Sequence, residues 1–303
     1  MPDVIQVHEL HKQYGDVVAV ADVSFEVHDG EIFGIVGPNG AGKTTTIECI
    51  EGLRRPDGGT IRVLGEDPAN RERLSDRIGV QLQESALPPH LHVREAVALF
   101  ASFYDHSAGV DELIERLGLS DKRSAAFSKL SGGQKQRLFI ALALVSQPEV
   151  VFFDELTTGL DPQARRSTWD LVRDVRESGC TVVLTTHSME EAERLCDRVL
   201  IIDHGAVVAL DTPGALVSSL GVERRIAFTL PEGVSAPSLD GMGVVERVEQ
   251  IGSRVVVYGR GDRFASSVVS ALEDAHVDFL DLRTEQPDLE DVFLALTGRE
   301  MRD

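Results

Sequence analysis

A glycine-rich loop between an apolar run and a helix-forming run limits what this chain can fold into. Residues 31–53 read EIFGIVGPNGAGKTTTIECIEGL. Within them Gly37–Thr44, GPNGAGKT, fits G-x-x-x-x-G-K-[ST]. It lies where that pattern has a physical meaning, between a buried strand and a helix. Glycines let backbone amides turn inward and ring a phosphate. The amino end of the following helix adds its dipole. Lys43 can reach the outer phosphates, and the Thr44 hydroxyl can bind Mg²⁺.

The rest of the chain supplies the sheet that such a loop needs. VIQVHEL and ADVSFEV alternate apolar and polar residues and read as antiparallel strands. EVVFFDE and TVVLTTH are apolar strands parted by the helical QARRSTWDLVRDVRES, and VLIIDHGAVVAL reads as a hairpin. Strands alternating with helices predict an α/β fold with a mostly parallel sheet covered on both faces. VREAVALFASFY and VDELIERLGL are helical in pattern, so a helical subdomain is expected over about residues 85–137. Thr212, Pro213 and Gly221 bracket a short helix. After Gly221 come RRIAFTL, GVVERVEQI, RVVVYGR and VDFLDLR as strands, with FASSVVSALEDA and LEDVFLALTG as helices. We expect residues 1–221 to form one α/β domain around the phosphate loop and residues 222–303 a separate small α+β domain.

Charge and composition narrow the partners. The net charge is -20, which argues against nucleic acid, because duplex binding needs excess Lys and Arg. Cys49, Cys180 and Cys196 have no CxxC spacing and are expected to be reduced, buried thiols. The first residues, MPDVIQVHELHK, hold no apolar run of signal-peptide length. FIALALV and VVFF fall far short of the ~20 residues of a membrane helix. A soluble chain is expected, with any membrane part supplied by another protein.

Further residues carry chemistry. Val150–Glu155, VVFFDE, is an apolar strand ending in two carboxylates. Asp154 suits the Mg²⁺ shell, directly or through water, and Glu155 can orient and deprotonate an attacking water. His187 follows the strand VVLTT, at the strand end where ligands bind in open α/β sheets. It can donate a hydrogen bond to a terminal phosphate. Gln83, after the strand IGVQL, can complete the Mg²⁺ shell. Tyr14, in a loop ahead of the second strand, can stack on a nucleotide base. KLSGGQKQR, Lys129–Arg137, has no histidine, carboxylate or cysteine, and so no obvious nucleophile, general base or metal ligand. It puts a serine and two glycines ahead of a helical run, which is a place for an anion.

GPNGAGKTT, Gln83, LSGGQKQR, VVFFDE, GLDP and TTH, in this order over about residues 3–220, resemble the ATPase subunit of ABC transporters. The resemblance implies ATP held by Gly37, Pro38, Asn39, Gly40, Ala41, Gly42, Lys43, Thr44 and Thr45, with Mg²⁺ on Thr44, Gln83 and Asp154. It implies two ATPase subunits meeting head to tail, as a homodimer or a pair of related chains. Ser131, Gly132, Gly133 and Gln134 of one chain would close on the γ-phosphate held by the other. Asp161, in GLDP, would sit at the seam. A separate membrane permease is the implied partner, docking on the segment between Gln83 and Ser131 and holding the chain at the cytoplasmic face of the membrane.

One position departs from the family pattern. Leu156 stands where the family has proline after the catalytic glutamate. Leucine does not fix φ, so a looser loop is expected from Glu155 to Asp161, with hydrolysis retained. The tail LEDVFLALTGRE resembles that of ATPases serving exporters of the daunorubicin-resistance type, which implies export of a drug-like or amphipathic compound. An importer ATPase is the alternative. A soluble ABC-type ATPase acting on ribosomes or DNA fits less well, with one P-loop, no coiled coil and an acidic chain.

Overall fold

A computed structural model describes residues 2–81, 86–219, 224–231, 239, 242–261, 263–285 and 287–298. Gln83 and Gly221 lie outside these described residues. The chain divides into two compact units, one ending at Pro213 and one beginning at Gly214.

The first unit opens with β1 (Asp3–Tyr14) and β2 (Val17–His28), followed by β3 (Ile32–Val36), α1 (Lys43–Ile50) and β4 (Gly58–Val63). Next come α2 (Arg71–Leu74), β5 (Ile78–Gln81), α3 (Val93–Ala101), α4 (Val110–Arg116) and α5 (Gly132–Leu144). Then follow β6 (Val150–Asp154), α6 (Pro162–Glu177), β7 (Thr181–Thr186), α7 (Met189–Leu195), β8 (Arg198–Asp203) and β9 (Ala206–Asp211). An antiparallel sheet has the order β2-β1-β4, and a six-stranded sheet the order β5-β6-β7-β3-β8-β9. The larger sheet is parallel except for the β8–β9 hairpin.

The strand sequences account for this division. Every residue of β3, β6 and β7 is buried, as expected of parallel strands covered on both faces. β2 alternates buried and exposed residues along Val23–Val27, the period of a strand with one wet face. Phe25 of β2 stacks on Phe33 of β3 with ring centroids 5.3 Å apart, joining the two sheets in one core. On α6, Thr168, Trp169, Val172 and Val175 are buried, a single stripe at helical spacing.

All three thiols are free and buried. Burial pushes the Cys49 thiol up to about 11 and the Cys180 thiol up to about 12, and it raises Cys196 well above its ordinary value.

The second unit begins within α8 (Pro213–Ser219) and holds β10 (Arg224–Thr229), β11 (Val245–Ile251), β12 (Arg254–Gly259), α9 (Phe264–Asp274), β13 (Leu280–Glu285) and α10 (Leu289–Thr297). Its sheet is antiparallel with order β11-β12-β10-β13. Phe264, Val268 and Leu272, spaced one helical turn apart on α9, join Phe228, Val255 and Val257 in a core of their own. Asp288 and Asp291 form a reciprocal cap at the start of α10.

Candidate functional site

Strands β6, β7 and β3 are neighbours in that order. Their carboxyl ends therefore present Asp154, His187 and the glycine-rich loop side by side. The loop is shaped by steric necessity. Gly42 has φ +102°, and a Cβ there would run into the Ala19 carbonyl. A Cβ on Gly37 would strike the carbonyl of Ile202. Side chains are thus excluded, and the backbone of the loop is left to make the contacts. Asn39 and Gly40 are exposed at its tip, Ala41 is buried, and Pro38, Thr44 and Thr45 are half-buried.

Lys43 is the first residue of α1 and only 4% exposed. Its Nζ donates to the carbonyls of Gly37, at 2.9 Å, and Pro38, at 3.1 Å. It also lies 3.7 Å from Glu155 Oε1. Desolvation lowers the Lys43 pKa, opposed by the charges of Glu155 and Asp154.

The acid pair has two environments. Asp154 is buried and accepts a hydrogen bond from the Thr185 hydroxyl. Burial raises its pKa against that bond, and the nearby Glu155 charge raises it further. A desolvated carboxylate of this kind gains from a cation beside it, so the setting of Asp154 suits a cation. Glu155 takes a left-handed conformation, φ 48°. Its backbone N–H donates to the Thr185 carbonyl and hydroxyl, at 3.2 and 3.1 Å. Thr158 Oγ1 donates to Glu155 Oε2 at 3.2 Å. His187 Nδ1 stands 3.6 Å from Glu155 Oε1, just beyond hydrogen-bonding reach. Among the described residues no cluster of three or more His, Cys, Asp or Glu side chains is built to hold a metal unaided. Mg²⁺ carried in on nucleotide phosphates needs only one or two protein ligands.

The LSGGQ segment has a separate setting. Ser131 caps α5, with its Oγ accepting from Gln134 N at 3.3 Å and its own N–H donating to Gln134 Oε1 at 3.0 Å. Asp161 caps α6 through the amides of Gln163 and Ala164. Ser131, Gly132, Gly133, Gln134 and Asp161 line one surface hollow of about 460 Å³. No residue of the glycine-rich loop lines it, nor do Asp154, Glu155 or His187.

Tyr14 is the last residue of β1, not a loop residue, because pairing runs on to Tyr14–Val17. It is 41% exposed, with Lys12 Nζ and Arg54 Cζ each 5.4 Å from its ring centroid. Sequence reasoning missed Thr185 and Thr158. Their only signal was position, in TTH and after FFDE.

A phosphate-binding loop at the carboxyl edge of a mostly parallel sheet, with a lysine and two carboxylates beside it, defines a P-loop ATPase. The sequence model of the ABC transporter family matches residues 20–158. Nod factor export ATP-binding protein I of Paraburkholderia xenovorans is 42% identical over 311 residues, covering 100% of both chains. The protein of that name from Ralstonia nicotianae is 38% identical over 99% of this chain and 95% of its own length. An ATP-binding subunit of an ABC transporter superposes with TM-score 0.64 and 29% identity over 72% of this chain and 93% of that one. A dimeric ATP-binding cassette in a post-hydrolysis state, bound to ADP and Pi, gives 0.62 and 26% over 69% and 98%. The chain belongs to the ATP-binding subunits of ABC transporters and is an ATPase.

Proposed function

We propose that this chain is the motor of an exporter, in which two ATPase subunits pair head to tail and drive a drug-like or amphipathic compound through a separate permease. One observation carries the reading: Lys43, Glu155 and His187 converge at the end of a parallel sheet, beside a loop shaped for phosphate. ATP is held along Gly37–Thr45, with Tyr14 against the base. Thr44, Asp154 and Gln83 are the residues that would hold Mg²⁺. When bound it neutralises charge on the β- and γ-phosphate oxygens.

Lys43 exchanges the carbonyls of Gly37 and Pro38 for phosphate oxygens. Glu155 orients the attacking water and takes its proton. His187, whose Nδ1 has no hydrogen-bond partner among the described residues, donates to the terminal phosphate. The products are ADP and inorganic phosphate. Ser131, Gly132 and Gly133, at a helix start built for an anion, serve the nucleotide of the partner chain, and Asp161 lies in the same hollow. The separate lining of that hollow supports a role in trans, as does the likeness to a dimeric cassette.

The export direction is supported by relatives named for Nod factor export that match along the whole chain, second unit included. The tail phrase LEDVFLALTGRE supports an amphipathic cargo of the daunorubicin-resistance type. The permease places the chain at the cytoplasmic face of the membrane. No described helix is long and apolar enough to cross it.

The test is transport in membrane vesicles carrying the chain and the membrane protein encoded beside it. Inside-out vesicles are expected to accumulate an amphipathic dye when given ATP outside. Uptake confined to right-side-out vesicles loaded with ATP would mean import, and would overturn the proposal.

A further inference from the structure

Glu191, in the first turn of α7, is only 2% exposed. Its Oε1 accepts two hydrogen bonds, from the Thr157 hydroxyl at 2.8 Å and from Trp169 Nε1 at 2.8 Å. Both donors are buried as well. The three residues belong to three different segments. Thr157 lies in the loop that follows Glu155. Trp169 lies on α6, the helix that Asp161 caps. Glu191 lies on α7, which starts directly after His187 and is capped by Ser188.

We propose that Glu191 is a positioning residue for hydrolysis. Its carboxylate fastens the loop after Glu155, helix α6 and helix α7 into one arrangement, so that Glu155, Asp161 and His187 are held in register. Hydrogen bonds to an ionised group are stronger than neutral ones. A buried acceptor stripped of its donors bears the full cost of desolvation. The three segments therefore keep their contacts and move together. The fastening matters here because Leu156 leaves φ free where a proline would fix it. The loop is held from the side, through Thr157.

The proposal rests on the roles given above to Glu155, Asp161 and His187. Its test uses the full chain with its permease, measuring steady-state ATPase rates, nucleotide affinity and Trp169 emission. The variants are Thr157→Val, Glu191→Leu and Glu191→Gln. A reacting group misplaced by an ångström costs on the order of 10²-fold. Thr157→Val and Glu191→Leu are expected to lower kcat by about 10- to 100-fold, with KM and nucleotide affinity little changed. Glu191→Gln keeps an acceptor oxygen in place and is expected to recover most of the rate. The double variant should be no slower than Glu191→Leu alone, because the contact that Thr157→Val breaks is already lost there. Trp169 is the chain's one tryptophan. Its emission should shift in Glu191→Leu and return in Glu191→Gln.

Wild-type kcat in Thr157→Val overturns the proposal. So does a loss in Glu191→Leu that merely follows its folded fraction. If Glu191→Leu does not fold, Thr157→Val decides alone, since it keeps the shape and burial of the native residue. Glu155→Gln serves as the control. Full hydrolysis there would overturn the reading of the site itself, whereas a dead Glu155→Gln with a normal Thr157→Val overturns only the role of Glu191.

Discussion

Lys43 Nζ lies 3.7 Å from Glu155 Oε1, with the two side chains 4% and 7% exposed. Lys43, the proposed phosphate ligand, and Glu155, the proposed base, are thus charge partners before nucleotide arrives. An incoming phosphate competes with Glu155 for the same ammonium group.

This competition sharpens what Glu155→Gln should do. The amide cannot abstract a proton, and losing a positioned base costs ~10²- to 10⁴-fold. It also removes the charge that holds Lys43, so ATP should bind at least as tightly as in the wild type. The variant is expected to collect as an ATP-bound dimer on gel filtration. Multi-turnover hydrolysis near the wild-type rate would remove Glu155 from its role.

A role in trans for LSGGQ predicts that two inactive variants rescue each other. Lys43→Ala spoils the phosphate loop, and Ser131→Arg fills the hollow at the start of α5. In a mixed dimer one interface carries both defects and the other carries neither. With random pairing half the dimers are mixed, each with one good site of two, so recovery is limited to about a quarter of wild-type activity. The measurement is an ATPase titration of one variant into the other, with subunit exchange verified. Mixed dimers that form and stay inactive would rule out the arrangement.

The second unit has its own core, around Phe228, Phe264 and Val257. A chain ending between residues 213 and 221 is therefore expected to fold and bind nucleotide. Dimerisation or coupling to the permease should weaken. Truncations that are uniformly insoluble, or unable to bind ATP, would mean that the two units share one folding core.

Glu51 predicts a pH dependence of stability. It is 6% exposed, and neither carboxyl oxygen has a hydrogen-bond partner among the described residues. It lines a cavity of about 260 Å³ with Phe100, Tyr104 and Leu142. Burial raises its pKa from 4.5 to about 8, with the charges of Asp154 and Glu48 adding to the effect. The folded state thus binds this proton more tightly than the unfolded chain does. The contribution is fully present below pH 4.5 and is lost as pH rises through about 8. Across that window the loss is roughly 1.4 kcal/mol per pH unit. Glu51→Leu should flatten the fall of the urea midpoint between pH 5 and 8 relative to wild type. Equal slopes for the two proteins would show that Glu51 is ionised throughout.

Local spacing made much of this molecule legible in the sequence. The phosphate loop needs glycines at fixed offsets, and an apolar strand ending in Asp154 and Glu155 is written in consecutive residues. The contacts that organise the site are not consecutive. Thr185 reaches Asp154 across 31 residues, and Thr157 reaches Glu191 across 34. Threonines in a strand and glutamates in a helix are common, so neither stands out before the chain is folded. Tyr14 was expected in a loop ahead of the second strand, yet strand pairing extends through it to Val17. The hollow shared by Ser131 and Asp161 joins two segments with no motif in common beyond their small residues. Only the fold brings the two helix caps to one hollow.

The three buried thiols have a practical consequence. A thiol reacts as its thiolate, and Cys49, Cys180 and Cys196 are both hidden from reagents and held in the protonated form. The native chain is therefore a ready background for site-directed labelling. A single cysteine placed on the exposed surface would take a fluorophore or spin label selectively, with no native cysteine replaced. Two labelled chains, one probe on each, could then test the proposed pairing of subunits by dipolar coupling or energy transfer.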